Sequence, residues 1–385
     1  MGAGGSLGKR EPVLTAGELI GNGMDGPDND HTARCVVTGG AGFIGSALVR
    51  RLVDRGRAVV NVDKLTYAAN LANCRDVEAS PLYRFHKADI CDARAMSELF
   101  AGYRPTTVFH LAAESHVDRS IDGPGPFIET NVVGTSTLLD VARVHWERLP
   151  EHERSQFKFI VVSTDEVYGA LGAQGVFDPE CRYDPSSPYA ASKAAADHLA
   201  RAWHRTYGFP TIVTNCGNNF GPYQFPEKLI PLTILNACEG RELPVYGRGE
   251  NVRDWIYVDD HAAALERVGD LGRAGATYLI GSRGERRNID VVRSICTILD
   301  ELAPNPALAG GHADLIRFVT DRPGHDFRYA IDPSVTEQQL GWRAEKSFDT
   351  ALRETVQWYM ANRAWCEEAA KVYRRGRLGL TKGAA

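Results

Sequence analysis

Thr164, Asp165 and Glu166 close an apolar run, Phe159-Ile160-Val161-Val162-Ser163, and further along stand Tyr189 and Lys193, four residues apart. A Tyr and a Lys at that spacing share one helix face. A phenol titrates near ~10 and is a poor base at neutral pH, but a neighbouring ammonium favours the phenolate. Tyr189 so assisted is a base for a hydroxyl. Two adjacent carboxyls in a closed site split their titrations, one staying protonated and one ionised. One can then take a proton from carbon while the other gives a proton to a departing oxygen. Together these residues point to oxidation of a hydroxyl and elimination of water in one place. Singly they say less, since Y-x-x-x-K recurs on ordinary helices and two acids in a loop are commonly solvated.

A glycine-rich segment supplies the context. Gly39-Gly40-Ala41-Gly42-Phe43-Ile44-Gly45 has the spacing G-x-x-G-x-x-G between an apolar run and a helical pattern. Such glycines let the backbone approach a pyrophosphate, and the helix N-terminus then faces its charge. Gly39, Gly42, Phe43, Ile44 and Gly45 are therefore candidate dinucleotide contacts. Asp63 follows the second apolar run, where an acid binds ribose hydroxyls and repels a 2′-phosphate. That predicts NAD rather than NADP, with Lys64 pulling the other way. Asp89 and Ile90 follow the third run and are candidates to meet the adenine. Leu111, Ala112 and Ala113 follow the fourth and are placed to wall the nicotinamide half. Lys193 then gains a second task, holding the nicotinamide ribose, and the nicotinamide cation also favours the Tyr189 phenolate.

The elements that must position these groups alternate. Apolar runs at 35–38, 58–62, 83–87, 107–111, 157–163 and 211–215 read as buried strands. Helical patterns at 43–55, 93–100, 127–146 and 190–207 lie between them. Alternation of this kind predicts an α/β fold, a Rossmann-type doubly wound parallel sheet covered on both faces. After residue 216 Pro and Gly punctuate shorter elements, as expected for a smaller C-terminal substrate-binding lobe. The expected division is an N-terminal extension over 1–33, rich in Gly and Asp and read as mobile. An NAD-binding domain over 34–216 follows, with later strands borrowed from the second half, then a lobe over 217–365 and a tail over 366–385. The 385 residues carry a formal net charge of −5 and show no basic stripe, which argues against nucleic acid. The basic cluster Lys371, Arg374, Arg375, Arg377 reads as a solvated tail. Eight scattered cysteines form no C-x-x-C pair, so neither a metal site nor a disulfide framework is indicated, and a reducing cytoplasm is expected. No apolar run reaches the ~20 residues of a membrane span, and no signal peptide is apparent.

With both motifs placed, the chain resembles the extended short-chain dehydrogenase/reductases, and among them the dTDP-glucose 4,6-dehydratases. The matching stretches run from residue 35 to about 360: 38–46, 61–68, 110–120, 163–169, 225–231, 251–255 and 321–326. The Thr-Asp-Glu triplet is the sharpest, because epimerases of the group generally differ there. The resemblance implies a reaction on a nucleotide-linked hexose with bound NAD. Tyr189 takes the C4 hydroxyl proton as C4 is oxidised. Glu166 removes the C5 proton, Asp165 protonates the leaving C6 hydroxyl, and hydride returns to C6. Thr164 orients the C4 oxygen. Ser115 and His116 stand near nicotinamide and hexose, and Asn219 behind the cofactor. Asn218, Lys228, Leu229, Tyr246, Arg253, Arg322 and His325 hold the nucleotide diphosphate, with Tyr246 stacking on the base. A homodimer built from the helices at 127–146 and 190–207 is also implied.

Four positions depart from the family pattern: Gly217 and Phe220, where Ser and Tyr are usual, and Leu279 and Gly284, where Asn is usual. The Asn usual at 279 is expected to contact the diphosphate. These departures leave the chemistry intact and open the alternative of another nucleotide carrier or a modified sugar. A 4-epimerase or decarboxylase shares the glycine loop and Tyr189/Lys193 but needs no adjacent acid and base. A non-catalytic dinucleotide-binding module has no need of the Tyr, the Lys or the carboxyls, all of which are present.

Overall fold

The structure is a computed structural model that describes residues 33–372. Seven parallel strands form its main sheet: β1 (Arg34–Thr38), β2 (Ala58–Asp63), β3 (Tyr83–Lys87), β4 (Thr107–His110), β5 (Lys158–Thr164), β6 (Thr211–Cys216) and, far along the chain, Thr277–Ile280. Their spatial order is Thr277–Ile280, β6, β5, β4, β1, β2, β3. The central strands are rich in Val and Ile and buried on both faces, as a covered parallel sheet requires. On one face the helices Phe43–Asp54 and Val258–Leu271 pack together, placing Leu48 and Leu52 in one core with Leu265 and Val268. On the other, Met96, Leu99, Phe100, Leu138, Leu139 and Phe209 form a second core. The chain leaves β1 for β2 on one side and returns through β4 on the other, so a crevice opens at the carboxyl ends of β1 and β4.

Most expected elements lie within two or three residues of the observed ones, but one differs in kind. The helical pattern at 127–146 is not one α-helix. Residues Ile128–Gly134 form a π-helix that runs into an α-helix over Thr135–Glu147. The wider turn carries Thr130 and Asn131 to the crevice side. There Asn131 ties down Glu114, accepting from its N–H (2.8 Å) and donating to its carbonyl (3.0 Å).

The second lobe contains a three-stranded sheet of Asn218–Phe220, Val252–Tyr257 and Glu285–Arg287, and a two-stranded pair of Leu243–Tyr246 and Ile316–Val319. Helices Leu229–Cys238, Asn288–Leu302 and Phe348–Ala361 close over its core of Trp255, Val292, Leu299, Leu352 and Tyr359. The expected tail from 366 begins instead inside a helix, Arg363–Val372. Cys366 and Ala369 are buried, so apolar contact holds this segment to the lobe. The expected extension at 1–33 lies, but for residue 33, outside the described residues, as do Arg374, Arg375 and Arg377. Among the described residues no helix is long and apolar enough to cross a membrane.

Candidate active site

One cavity at the crevice gathers the chemistry. Every candidate dinucleotide contact lines it: Gly39, Gly42, Phe43, Ile44, Gly45, Asp63, Lys64, Asp89, Ile90, Leu111, Ala112, Ala113, Ser115, Tyr189, Lys193 and Asn219. Thr164, Asp165, Glu166, Asn218 and Lys228 line it too. The glycine loop is tight for a structural reason. Gly39 has φ +71°, and a Cβ there would stand 2.7 Å from the Ala112 nitrogen. A Cβ at Gly45 would lie 2.1 Å from the Gly39 carbonyl. The helix Phe43–Asp54 that follows has no side-chain cap, so its first N–H groups remain for an anion. A pyrophosphate fits this cradle. Asp63 is committed in part to the loop itself, its carboxylate accepting from Ala41 N (3.1 Å) and Leu65 N (2.8 Å). Lys64 is paired with Asp89 (3.3 Å) and Thr130 (3.1 Å).

The reaction centre lies where β5 ends beside the helix Pro188–Tyr207. Ser187 caps that helix through Ala190 N and Pro188 opens it, so Tyr189 and Lys193 fall on its sheet-facing side, both buried. Lys193 Nζ donates to the Val162 carbonyl at 2.8 Å. Burial, then Glu166, push the Tyr189 phenol well above its ordinary value; a hydrogen bond from Thr164 opposes this. A bound nicotinamide cation would oppose this rise further.

Asp165 is 1% exposed and Glu166 half-buried. Burial and then the neighbouring Glu166 hold the Asp165 carboxyl well above the usual carboxylate range, with Asp254 adding to the effect. Glu166 is also raised by burial, but Arg322, Arg253 and Lys228 pull against it. The two carboxyls thus sit in different fields, with Asp165 the one that keeps its proton and Glu166 the more readily ionised.

The remaining expected contacts divide. Tyr246, Arg253, Arg322 and His325 do not line this cavity, yet they cluster beside it. Arg322 donates to Asp118 (2.5 Å), Tyr246 Oη donates to the same carboxylate (3.0 Å), and the His325 ring meets Tyr246 edge-on. Arg253 is buried over the Tyr329 ring and donates to the carbonyls of Val252 (2.7 Å) and Asp326 (2.9 Å). Among the described residues it has no carboxylate at ion-pair distance. A buried guanidinium so placed is costly until an anion joins it. His116 is buried behind Glu227, its pKa lowered to about 2 by desolvation first. Leu229 opens the helix Leu229–Cys238 and packs against the lobe's core, not into the cavity.

The four departures do not share one ligand-facing wall. Leu279 is buried among Val167, Tyr168, Ala194, Tyr329 and Ile331, so a diphosphate contact from position 279 is corrected to a core role. Phe220 packs against Trp255, Tyr257 and Phe348. Gly217 and Gly284 surround Asp254 instead. A Cβ at 217 would stand 2.6 Å from the Asp254 carbonyl, and Gly284 N donates to Asp254 Oδ1 at 2.8 Å. A Cβ at 284 would meet the Ser282 hydroxyl at 2.5 Å, and that hydroxyl donates to Trp255 O at 2.7 Å. Several site-side groups escaped the sequence reading, Glu114 and Thr130 in the cavity wall among them. Glu227 lines the cavity and accepts from Tyr67 (3.0 Å) and Arg119 (3.0 Å). Asp118 and Asp254 act from behind. Glu227 and Asp254 stood inside matching stretches, beside Lys228 and Arg253, and Asp118 stood two residues after His116. Their own spacing carried no signal.

A sequence model of the GDP-mannose 4,6 dehydratase family matches residues 36–355. A probable dTDP-glucose 4,6-dehydratase from Sinorhizobium fredii is 57% identical over 352 residues, 91% of this chain and 100% of that protein. The dTDP-glucose 4,6-dehydratase of Neisseria meningitidis is 55% identical over 353 residues, 91% of this chain and 99% of that one. Among solved structures, the Bacillus anthracis dTDP-glucose 4,6-dehydratase in complex with NAD superposes with TM-score 0.78 at 41% identity, covering 88% of this chain and 99% of that one. The Streptomyces venezuelae dTDP-glucose 4,6-dehydratase with NAD and TYD bound gives 0.79 at 44%, covering 87% and 99%. With this extent of identity, over a crevice holding the Thr-Asp-Glu triplet beside Tyr189 and Lys193, the chain belongs to the dTDP-glucose 4,6-dehydratase family of extended short-chain dehydrogenase/reductases.

Proposed function

We propose that this chain converts dTDP-glucose to dTDP-4-keto-6-deoxyglucose and water with bound NAD. The observation that carries the reading is the placement of Asp165 and Glu166 in one cavity with Tyr189 and the Gly39–Gly45 loop. NAD supplies reversible hydride acceptance when bound in that cradle. The chain's own residues handle protons. Tyr189 accepts the C4 hydroxyl proton. Glu166, the more readily ionised carboxyl, removes the C5 proton that the 4-ketone has acidified. Asp165 gives its proton to the C6 hydroxyl, which leaves as water. Lys228, Arg253 and Arg322 are the cations for the diphosphate, and their pull on Glu166 keeps it a usable base.

The NAD-binding part is the main sheet, completed by Thr277–Ile280 and the helix Val258–Leu271. The second lobe, through the helix ending at Val372, holds the nucleotide. The protein works as a homodimer. Ile128, Val133, Val144 and Tyr207 are large apolar side chains exposed on the two helical segments expected to pair, and a partner would cover them. Eight free thiols suit a reducing cytoplasm.

The test is incubation with dTDP-, UDP-, CDP- and GDP-glucose, without added cofactor, followed by mass spectrometry. The expected result is a dTDP-sugar lighter by one water, with NAD(H) recovered from the denatured protein. A product of unchanged mass would mark an epimerase, and no conversion of dTDP-glucose would refute the assignment.

A further inference from the structure

The glycine loop is pinned from behind. Ala41, at its turn, is fully buried, and both of its backbone polar groups are taken. Its N–H donates to Asp63 Oδ2 at 3.1 Å. Its carbonyl accepts from Asn70 N at 2.9 Å and from Asn73 Nδ2 at 3.0 Å. Asn73 is itself buried, and its other amide atom is also used. Asn73 Oδ1 accepts from the Trp365 indole Nε1 at 2.9 Å, across 292 positions of sequence. Trp365 stands on the helix Arg363–Val372, which arrives from the second lobe.

An amide has one donor end and one acceptor end, and an indole N–H only donates. Trp365 therefore holds Oδ1 on its own side and leaves Nδ2 for the Ala41 carbonyl. Without the indole N–H a buried acceptor loses its partner, and the amide is held from one end only. Packing supports the same contact. Trp365 and Ala369 are four positions apart on one helix face and pack with Phe225, Tyr67 and Ala68. Phe225 and Ala68 line the cofactor cavity, so the helix backs its wall from outside. Arg50, on the helix that follows the glycine loop, donates to the Asn73 carbonyl and lies 4.7 Å from the centre of the Tyr223 ring. Tyr223 in turn meets Trp365 edge-on at 5.9 Å.

Resting on the reading of Gly39–Gly45 as the pyrophosphate cradle, we infer that Trp365 is a positioning residue for NAD. It acts through Asn73 on Ala41 and sets the loop in the shape the dinucleotide needs. The second lobe thus has a task beyond the sugar nucleotide, because its helix Arg363–Val372 steadies the cofactor loop of the main sheet. In the proposed dehydration NAD is restored within each turnover, and a cofactor that stays bound suits such a cycle. The indole lies behind the loop and does not line the cavity. Its loss should change how long NAD stays, not how fast the loaded protein reacts.

The test compares Trp365→Phe, which keeps an aromatic ring and removes the N–H, with Asn73→Ala and with the double variant. Each purified holoprotein is mixed with an excess of deuterium-labelled NAD, and replacement of the bound cofactor is followed by mass spectrometry. Turnover of dTDP-glucose is measured separately with NAD in excess. Trp365→Phe should exchange NAD about two- to tenfold faster than wild type. Its turnover at saturating NAD should match that of wild type. Asn73→Ala alone carries the same expectation. The double variant should exchange no faster than Asn73→Ala, because both changes break one chain of contacts. The inference is overturned if either single variant exchanges NAD at the wild-type rate, or if the two effects multiply in the double variant. It is equally overturned if turnover at saturating NAD falls as far as retention does. Exchange is read without catalysis, so its outcome stands apart from the dehydration. Wild-type protein that carries no NAD(H) and binds none when supplied would remove the cradle reading itself, before any variant is made.

Discussion

Asp118 holds Arg322 in place: Arg322 Nη1 stands 2.5 Å from Asp118 Oδ1, and the other carboxylate oxygen accepts from Tyr246 at 3.0 Å. One buried acid therefore fixes two side chains proposed to receive the nucleotide diphosphate. Removing its charge leaves Arg322 without its partner and free to choose other rotamers. A lost hydrogen bond to a charged group is worth about 1.5–3 kcal/mol, or roughly ten- to a hundredfold in Kd. Asp118→Asn should weaken dTDP-glucose binding by that factor and leave the amount of co-purified NAD unchanged. Titration calorimetry with dTDP-glucose reads the first and cofactor release the second. Unaltered affinity would show that Arg322 and Tyr246 do not carry the nucleotide.

Leu279 gives an opposite result for a position that the sequence suggested faces the diphosphate. It is 1% exposed and surrounded by apolar side chains. Leu279→Asn exchanges buried apolar surface worth about 1.5–3 kcal/mol for an amide with no ready partner, itself costing about 1–3 kcal/mol. The variant should melt several degrees lower and bind dTDP-glucose no more tightly. Tighter binding at unchanged melting temperature would put position 279 back in the site.

The cofactor half was legible because its chemistry is local. Glycines, an acid after a strand and Y-x-x-x-K each sit at fixed offsets from elements whose hydrophobic periods are plain. The nucleotide lobe was legible only by resemblance, because its contacts converge from separate segments. Arg322 and Asp118 are 204 positions apart, and neither predicts the other. The departures misled for the same reason. Gly217 and Gly284 gain meaning only once both are seen around Asp254, and Phe220 only beside Phe348. The π-helix at Ile128–Gly134 had no signal, since a wider turn and an α-turn share nearly the same apolar pattern.

Asp165 also makes the ligand-free protein sensitive to pH. Burial, and then Glu166, raise its carboxyl, so the folded protein keeps a proton that the unfolded chain has released. The stability tied to this group is full below the ordinary carboxylate value of ~4. It is lost as pH rises toward the folded value, by up to about 1.4 kcal/mol per pH unit. Asp165→Asn removes that slope. The variant's melting temperature, relative to wild type, should climb as pH rises from about 5 toward neutrality. A difference that stays constant across this range would mean that Asp165 is ionised in the folded protein.

The central claim is that oxidation and elimination belong to different residues of one cavity, and Glu166→Gln separates them. Mixed with dTDP-glucose in deuterated water, this variant should still reduce its bound NAD, visible as the absorbance of NADH. The oxidised sugar should then stall, with deuterium entering C5 roughly 10²-fold more slowly than in wild type. Tyr189→Phe under the same conditions should show no reduced cofactor at all. If Glu166→Gln washes deuterium into C5 and releases the 4-keto-6-deoxy sugar at the wild-type rate, Glu166 is not the base and the account fails.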